Sequence, residues 1–376
     1  MQLSVIILNY NVRYFLEQCV LSVQKALENI DGEIIVIDNN SSDDSCAMMK
    51  ELFPNVKLIE NKENLGFPKG NNIGVAQAKG EFICILNPDT VVAEDTFIKI
   101  LNSKFQIPNS EIGIVGCKLI DGTGNFLPES KRGVPTPWVA FTKIFGLYKI
   151  SNVFGKYYAQ HLAENQSGKV EILVGAFMVM KRELYNEIGG FDENCFMYSD
   201  DIDLSYMALK LGKSNYYFHE TSVIHYKGES TIRDEKYMKR FQQAMNFFYS
   251  KHFKKSFIFD IFMKIGAFVF SLVKKNQSKE IKRTIDEYII FSKELLQLNL
   301  NKKETILNDF TNFKNNLNLN IEIIFDTKSF SYKDIINFMN CNKSINLTFK
   351  NYIPNSNYAI GSNNSIDRGE IVVIKN

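Results

Sequence analysis

The 376-residue sequence predicts an α/β protein with a mostly parallel central sheet flanked by helices, followed by a small C-terminal α/β module. Two observations carry this prediction. Between residue 4 and about residue 120, short apolar runs of strand length alternate with stretches whose apolar residues recur at helical spacing, the rhythm of βαβ units. One such run, Ile83-Cys84-Ile85-Leu86, ends abruptly in Asn87-Pro88-Asp89. Polar groups at the carboxyl end of a buried parallel strand stand where open α/β sheets bind their ligands.

The elements follow in order. A first strand is expected over 4–8, running into polar Asn9-Tyr10-Asn11. Val12, Phe15, Leu16, Cys19, Val20, Val23 and Leu27 then give a helix one face for the sheet. A second strand over 33–37 stops at Asp38, and the turn and cap formers of 39–45 lead into a helix marked by Met48, Met49 and Leu52. A third strand covers 56–59. Gly66 and Gly70 bracket Phe67-Pro68-Lys69, a glycine-bearing loop that opens a helix ahead of the Asp89 strand. Further on, 112–119 is a strand, 128–166 lacks periodicity and reads as a mobile loop region bordering a site, and 170–180 is one apolar strand. A helix over 182–187 stops at Gly189-Gly190. Asp200-Asp201-Ile202-Asp203 opens another, its first-turn carboxylates complementing the helix dipole.

From Tyr237 to Val273 phenylalanines interleave with lysines and arginines. Asp260 and Lys264 interrupt the stretch 256–273, which leaves an amphipathic helix at a membrane surface and an ordinary packed helix as the two readings. The last hundred residues are dense in Asn, Lys and Ile. They open with an amphipathic stretch over 285–300 and continue with strands at 321–325, 344–349 and 370–374, a helix over 332–339 and a Gly361-Ser362-Asn363 turn. The domain plan is 1–235, an aromatic and basic segment over 236–280, and a module over 281–376 whose role stays open.

Lys and Arg number 44 against 42 Asp and Glu, a formal charge of +2, which excludes the global basic field that nucleic-acid binding requires. Six cysteines without a CxxC pair fit a reducing cytosol, and the first eight residues read as a strand instead of a signal peptide. A nicotinamide-dependent oxidoreductase is disfavoured, because strand one is followed by Asn-Tyr-Asn and not by GxGxxG.

Six motifs in chain order now combine: 6–11 (Ile-Ile-Leu-Asn-Tyr-Asn), 37–43 (Ile-Asp-Asn-Asn-Ser-Ser-Asp), 64–72 around Gly66-Phe67-Pro68-Lys69-Gly70, 86–89 (Leu-Asn-Pro-Asp), 197–204 around Asp200-Asp201, and 225–230 (His-Tyr-Lys-Gly-Glu-Ser). Together they resemble the family 2 glycosyltransferases of the GT-A fold, in particular rhamnosyltransferase-like members acting on bacterial surface polysaccharides, over residues 3 to about 250. The resemblance implies inverting transfer of a hexose or deoxyhexose, such as rhamnose, from a UDP- or dTDP-sugar to a lipid-linked glycan. It places the protein in the cytoplasm, with peripheral association at the inner membrane face.

The same resemblance implies the site. Asp38, with Asn9, Asn11 and Asn39, lines the nucleotide cleft, while Gly66, Phe67, Lys69 and Asn72 lie under the donor. Asp89 and His225 hold a divalent cation, Mn2+ or Mg2+, at the donor phosphates, with Asn87 against the ribose. Oxygen ligands suit either ion, and an imidazole favours Mn2+. Asp201 is the general base, Asp200 binds acceptor hydroxyls or orients its neighbour, and Trp138 either stacks on an acceptor sugar or packs. Asn87 stands where the family's DxD motif carries Asp. That departure favours the alternative of a catalytically weak module that binds nucleotide-sugar or glycan.

Overall fold

The structure, a computed structural model, describes residues 1–103, 111–136, 138–139, 142, 147, 150, 152–226, 235–253, 284–363 and 369–374. Nine strands form the first sheet. They are β1 (Leu3–Asn9), β2 (Gly32–Asp38), β3 (Lys57–Glu60), β4 (Phe82–Leu86), β5 (Thr90–Val91), β6 (Ile112–Ile120), β7 (Gly168–Val170), β8 (Phe177–Lys181) and β9 (Ser214–His225), in the order β3-β2-β1-β4-β8-β6-β9-β5 with β7 beside β9. The β1, β2, β3 and β4 block is parallel throughout, so Asn9, Asp38 and the Asn87 to Asp89 stretch emerge at one end. β1 is buried along its whole length, which explains its unbroken apolar run. At the β3 edge Lys57 and Glu60 are exposed.

Helix α1 (Arg13–Leu27) lays Leu16, Cys19, Val20 and Val23 on the sheet, matching the periodicity of the sequence. Helices α2 (Ser45–Leu52), α3 (Phe67–Ala76) and α4 (Thr96–Ser103) follow. The expected glycine loop resolves differently. Gly66 alone precedes α3, at φ 81°, and Gly70 lies inside the helix, where a Cβ would come within 2.4 Å of Leu8 Cδ1. Gly74 is similar: a Cβ there would meet Ile37 Cδ1 at 2.4 Å and Ile6 Cγ2 at 2.6 Å. These two glycines let α3 press against β1 and β2. Gly74→Ala should therefore cost about 1–3 kcal/mol through overpacking, read as a lower urea midpoint at unchanged slope.

Two expected features are corrected. The run 170–180 is not one strand, because β7 and β8 are separated by a segment containing Gly175, whose N–H turns toward Asp201. Gly361 and Ser362 form no turn; they belong to β14 (Tyr358–Ser362), paired with Lys350 and Phe349. Helices α5 (Arg182–Ile188), closed by Gly189 at φ 90°, and α6 (Asp200–Lys210) match expectation. Helix α7 (Glu235–His252) packs Met245, Phe248 and Tyr249 against Val134, Ile172 and Ile202. The basic aromatic span thus begins as a packed helix, and its remainder over 254–283 lies outside the described residues. Among the described residues no helix is long and apolar enough to cross a membrane.

The C-terminal module is a six-stranded sheet in the order β11-β10-β12-β13-β14-β15, from β10 (Glu287–Phe291), β11 (Lys303–Leu307), β12 (Ile321–Asp326), β13 (Leu347–Ile353), β14 and β15 (Glu370–Val373), crossed by α8 (Tyr332–Cys341). One face and α8 share a continuous core with the first domain: Phe291, Ile323, Phe325, Ile336 and Phe349 cluster with Val12, Phe15, Val91, Ile120, Ile224 and Tyr226.

Candidate active site

At the end of β2, Asp38 is buried, and its carboxylate accepts hydrogen bonds from Asn9 Nδ2 at 2.7 Å and the Ser41 N–H at 2.8 Å. Asn11, at φ 56°, accepts from the Ser42 N–H at 2.7 Å, so the β1 and β2 tips are laced together. Asn39 accepts from Asn61 Nδ2 and the Leu65 N–H and donates to Asn64 Oδ1 and the Gly66 carbonyl, which ties the loop ahead of α3 to the same end.

The second station is a short antiparallel pairing of two strands distant in sequence. β5 pairs antiparallel with the end of β9, Thr90 opposite His225 and Val91 opposite Ile224, and the Tyr226 N–H donates to the Asp89 carbonyl at 3.0 Å. This register sets His225 Nε2 3.4 Å from Asp89 Oδ1 and 3.4 Å from Asn87 Nδ2. Two donors bound at about 2.1 Å in one octahedral shell stand about 3 Å apart, so this pair fits a small divalent cation. His225 Nδ1 and Asn87 Oδ1 are buried without a hydrogen-bond partner. Among the described residues no group of three or more His, Cys, Asp or Glu side chains is placed to hold a metal, so a cation here would draw its remaining ligands from phosphate and water.

The third station is the acidic pair at the start of α6. Asp201 is heavily engaged: Oδ2 accepts from Arg132 Nη2 at 2.5 Å and the Gly175 N–H at 3.1 Å, and Oδ1 accepts from the Ile202 N–H at 2.8 Å. Among the described residues Asp200 makes no ion pair of its own, although the Arg132 charge acts on it weakly. Burial first, and the Asp201 charge second, push its carboxyl up to about 7. Tyr198, two residues earlier, is held at φ 81°, a strained conformation for a bulky residue. Gly175 and Ala176 connect the stations, since the neighbouring Ala176 carbonyl accepts from the Asn87 N–H at 3.0 Å. One helical turn on, Asp203 accepts from Lys251 Nζ at 2.8 Å and meets His252 Nε2 at 2.5 Å, which locks α7 onto α6.

The other expected residues fall less centrally. Lys69 is exposed on α3, and Phe67 packs edge-on against Phe191 with ring centroids 5.5 Å apart. Asn72 uses its amide to hold Tyr185 and the Phe191 backbone. Trp138 is 60% exposed, which places it outside the packed core. Arg132 was not anticipated. It lies in the aperiodic 128–166 stretch, and the only sequence hint was Lys131-Arg132 within it, since a buried acidic pair requires a cation somewhere.

A mixed, largely parallel sheet with polar residues gathered at its strand ends, the close Asp89–His225 pair and a buried acidic pair stand where open α/β sheets bind their ligands. Residues 4–189 match the model of Glycosyl transferase family 2, and the mixed α/β domain that contains them is similar to members of that family. The chain is 26% identical over 243 residues to the N-acetylglucosaminyl-diphospho-decaprenol L-rhamnosyltransferase of Mycobacterium tuberculosis, covering 62% of this chain and 78% of that one. It is 32% identical over 171 residues to the GalNAc(5)-diNAcBac-PP-undecaprenol beta-1,3-glucosyltransferase of Campylobacter jejuni, covering 44% and 54%. Among solved structures, that of GalNAc-T7 with UDP, GalNAc and Mn2+ superposes with a TM-score of 0.48 at 18% identity, over 65% of this chain and 48% of that one.

Proposed function

We propose that the protein transfers a hexose or deoxyhexose, such as rhamnose, from a UDP- or dTDP-sugar to a lipid-linked glycan in surface polysaccharide biosynthesis, with inversion at the anomeric carbon. The observation that carries this reading is the bridge from the Asp89–His225 station to the acidic pair, made by Gly175 on Asp201 and Ala176 on Asn87. It supports a reading in which the base stands near the donor phosphates. The two relatives above are named for transfer to polyprenol-diphosphate glycans, which supports a lipid-linked acceptor and a place at the cytoplasmic membrane face.

In this reading Asp38 and Asn9 receive the nucleoside, and Asp89 and His225 hold a divalent cation. When bound, that cation offsets the charge of the departing nucleoside diphosphate. Arg132 pairs with the Asp201 carboxylate, and Asp200, whose carboxyl burial raises to about 7, takes the proton of the acceptor hydroxyl as it attacks. That reverses the division of labour the family resemblance implies. A single displacement from the face opposite the leaving group inverts the sugar carbon. Trp138, 60% exposed, is the aromatic side chain proposed to meet an acceptor sugar.

A panel of UDP- and dTDP-sugars against a polyprenol-diphosphate glycan, followed by product mass, tests the reading; no transfer from any donor sinks it. Asp89→Ala should weaken Mn2+-dependent UDP binding roughly 10–100-fold by calorimetry, with metal-free binding unchanged.

A further inference from the structure

The β5–β9 pairing that sets Asp89 beside His225 is poorly equipped to hold its own geometry. β5 is two residues long and sits at the sheet's edge, so the ladder offers little stiffness. Behind it lies the C-terminal module. Val91, Ala93, Ile224 and Tyr226 pack into the core built on Phe291, Phe325 and Phe349.

Polar ties reinforce the same face. Glu94, three residues past Val91, accepts from the Tyr332 and Lys333 N–H groups through separate oxygens, each at 2.8 Å. A carboxylate from the first domain thus caps the first turn of α8, where backbone N–H groups and the helix dipole favour negative charge. Asp95 adds an ion pair to Lys333 at 2.7 Å. Asn351 of β13 donates to the Tyr226 hydroxyl at 3.2 Å, directly after His225 in sequence. Both strands of this pairing are therefore gripped from outside just past their ends, β5 through Glu94 and β9 through Tyr226.

We propose that the C-terminal module is a brace for the cation station: by holding β5 and the end of β9, it keeps Asp89 and His225 at chelating separation when no nucleotide is bound. Glu94 and Tyr226 are its positioning residues. A donor pair held in place before binding loses less conformational freedom when the cation arrives, so the brace acts on affinity without touching the ion. This inference rests on the reading of Asp89 and His225 as cation ligands.

The test uses the full chain and UDP with Mn2+. Glu94→Gln, Glu94→Lys and Tyr226→Phe are compared with the parent by calorimetry and by hydrogen exchange. The expected result is Mn2+-dependent UDP affinity lowered about tenfold or more in Glu94→Lys and less in the milder variants, with faster exchange at Val91 and Ile224 and unchanged metal-free UDP binding. Affinity within twofold of the parent in all three variants overturns the brace, whatever the exchange shows. A parent chain that binds UDP equally with and without Mn2+ overturns the cation reading itself, and the brace with it. Equal loss of metal-free and Mn2+-dependent binding also counts against the brace, because it signals general unfolding.

Discussion

Asp200→Asn is expected to lower the turnover number by roughly 10²–10⁴-fold while leaving nucleotide binding intact, because the amide cannot take the acceptor's proton. The parent's turnover should rise with pH through about 7, where Asp200 loses its proton, and this rise should vanish in the variant. Asp201→Asn gives a different signature. It removes the neighbouring charge that raises Asp200 and leaves Arg132 facing Asp200 instead, so the pH rise should move to lower pH with activity retained. Were Asp201→Asn the inactive variant and Asp200→Asn the one with the shifted profile, the proposed roles would be exchanged. Stability supplies an independent check. The Asp200 carboxyl is raised in the folded state, so the fold binds its proton more tightly than the unfolded chain does, and stability falls as pH climbs from about 4 toward 7. Asp200→Asn should therefore melt higher than the parent at pH 8 and nearly level with it at pH 4.

Arg132→Met should be the most destabilising single change in the site, costing about 3–5 kcal/mol, since it strands the ionised Asp201 in a buried setting. Adding Asp201→Asn removes the stranded charge and should recover much of that loss, which urea unfolding of the two single variants and the double variant would measure as a coupling energy. Additive costs would show that the 2.5 Å contact contributes no specific interaction.

The parts legible in the sequence are those whose physics is local. β1, β2 and β4 announce themselves as buried apolar runs, and α1 and α6 by their spacing and termini. Asp38, Asp89, His225 and the Asp200 pair were visible because their motifs lie at strand or helix ends. Other parts escaped. α4 and β9 went unassigned, β9 because Ser214–His225 mixes histidines, Asn and Glu with its apolar residues as it borders three other strands. β11 and β14 are short and gain their identity from neighbours distant in sequence. The break between β7 and β8 is dictated by Asp201, and Arg132 finds its partner 69 residues away. No local pattern encodes either. Gly70 was read as the end of a loop, whereas it lies inside α3, where its missing Cβ leaves room for Leu8.

The first sheet ends in two strands with unlike defences. β5 is too short to template another strand and is covered by the C-terminal module. β3 is open to solvent, and its sequence Lys-Leu-Ile-Glu sets a charge at each end of a two-residue apolar centre, with Glu60 paired to Lys50 at 2.8 Å. An incoming strand from a second molecule would have to strip water from both charges to pair along only four residues. The open side of the sheet is thereby guarded against edge-to-edge aggregation, even when many copies crowd at one surface.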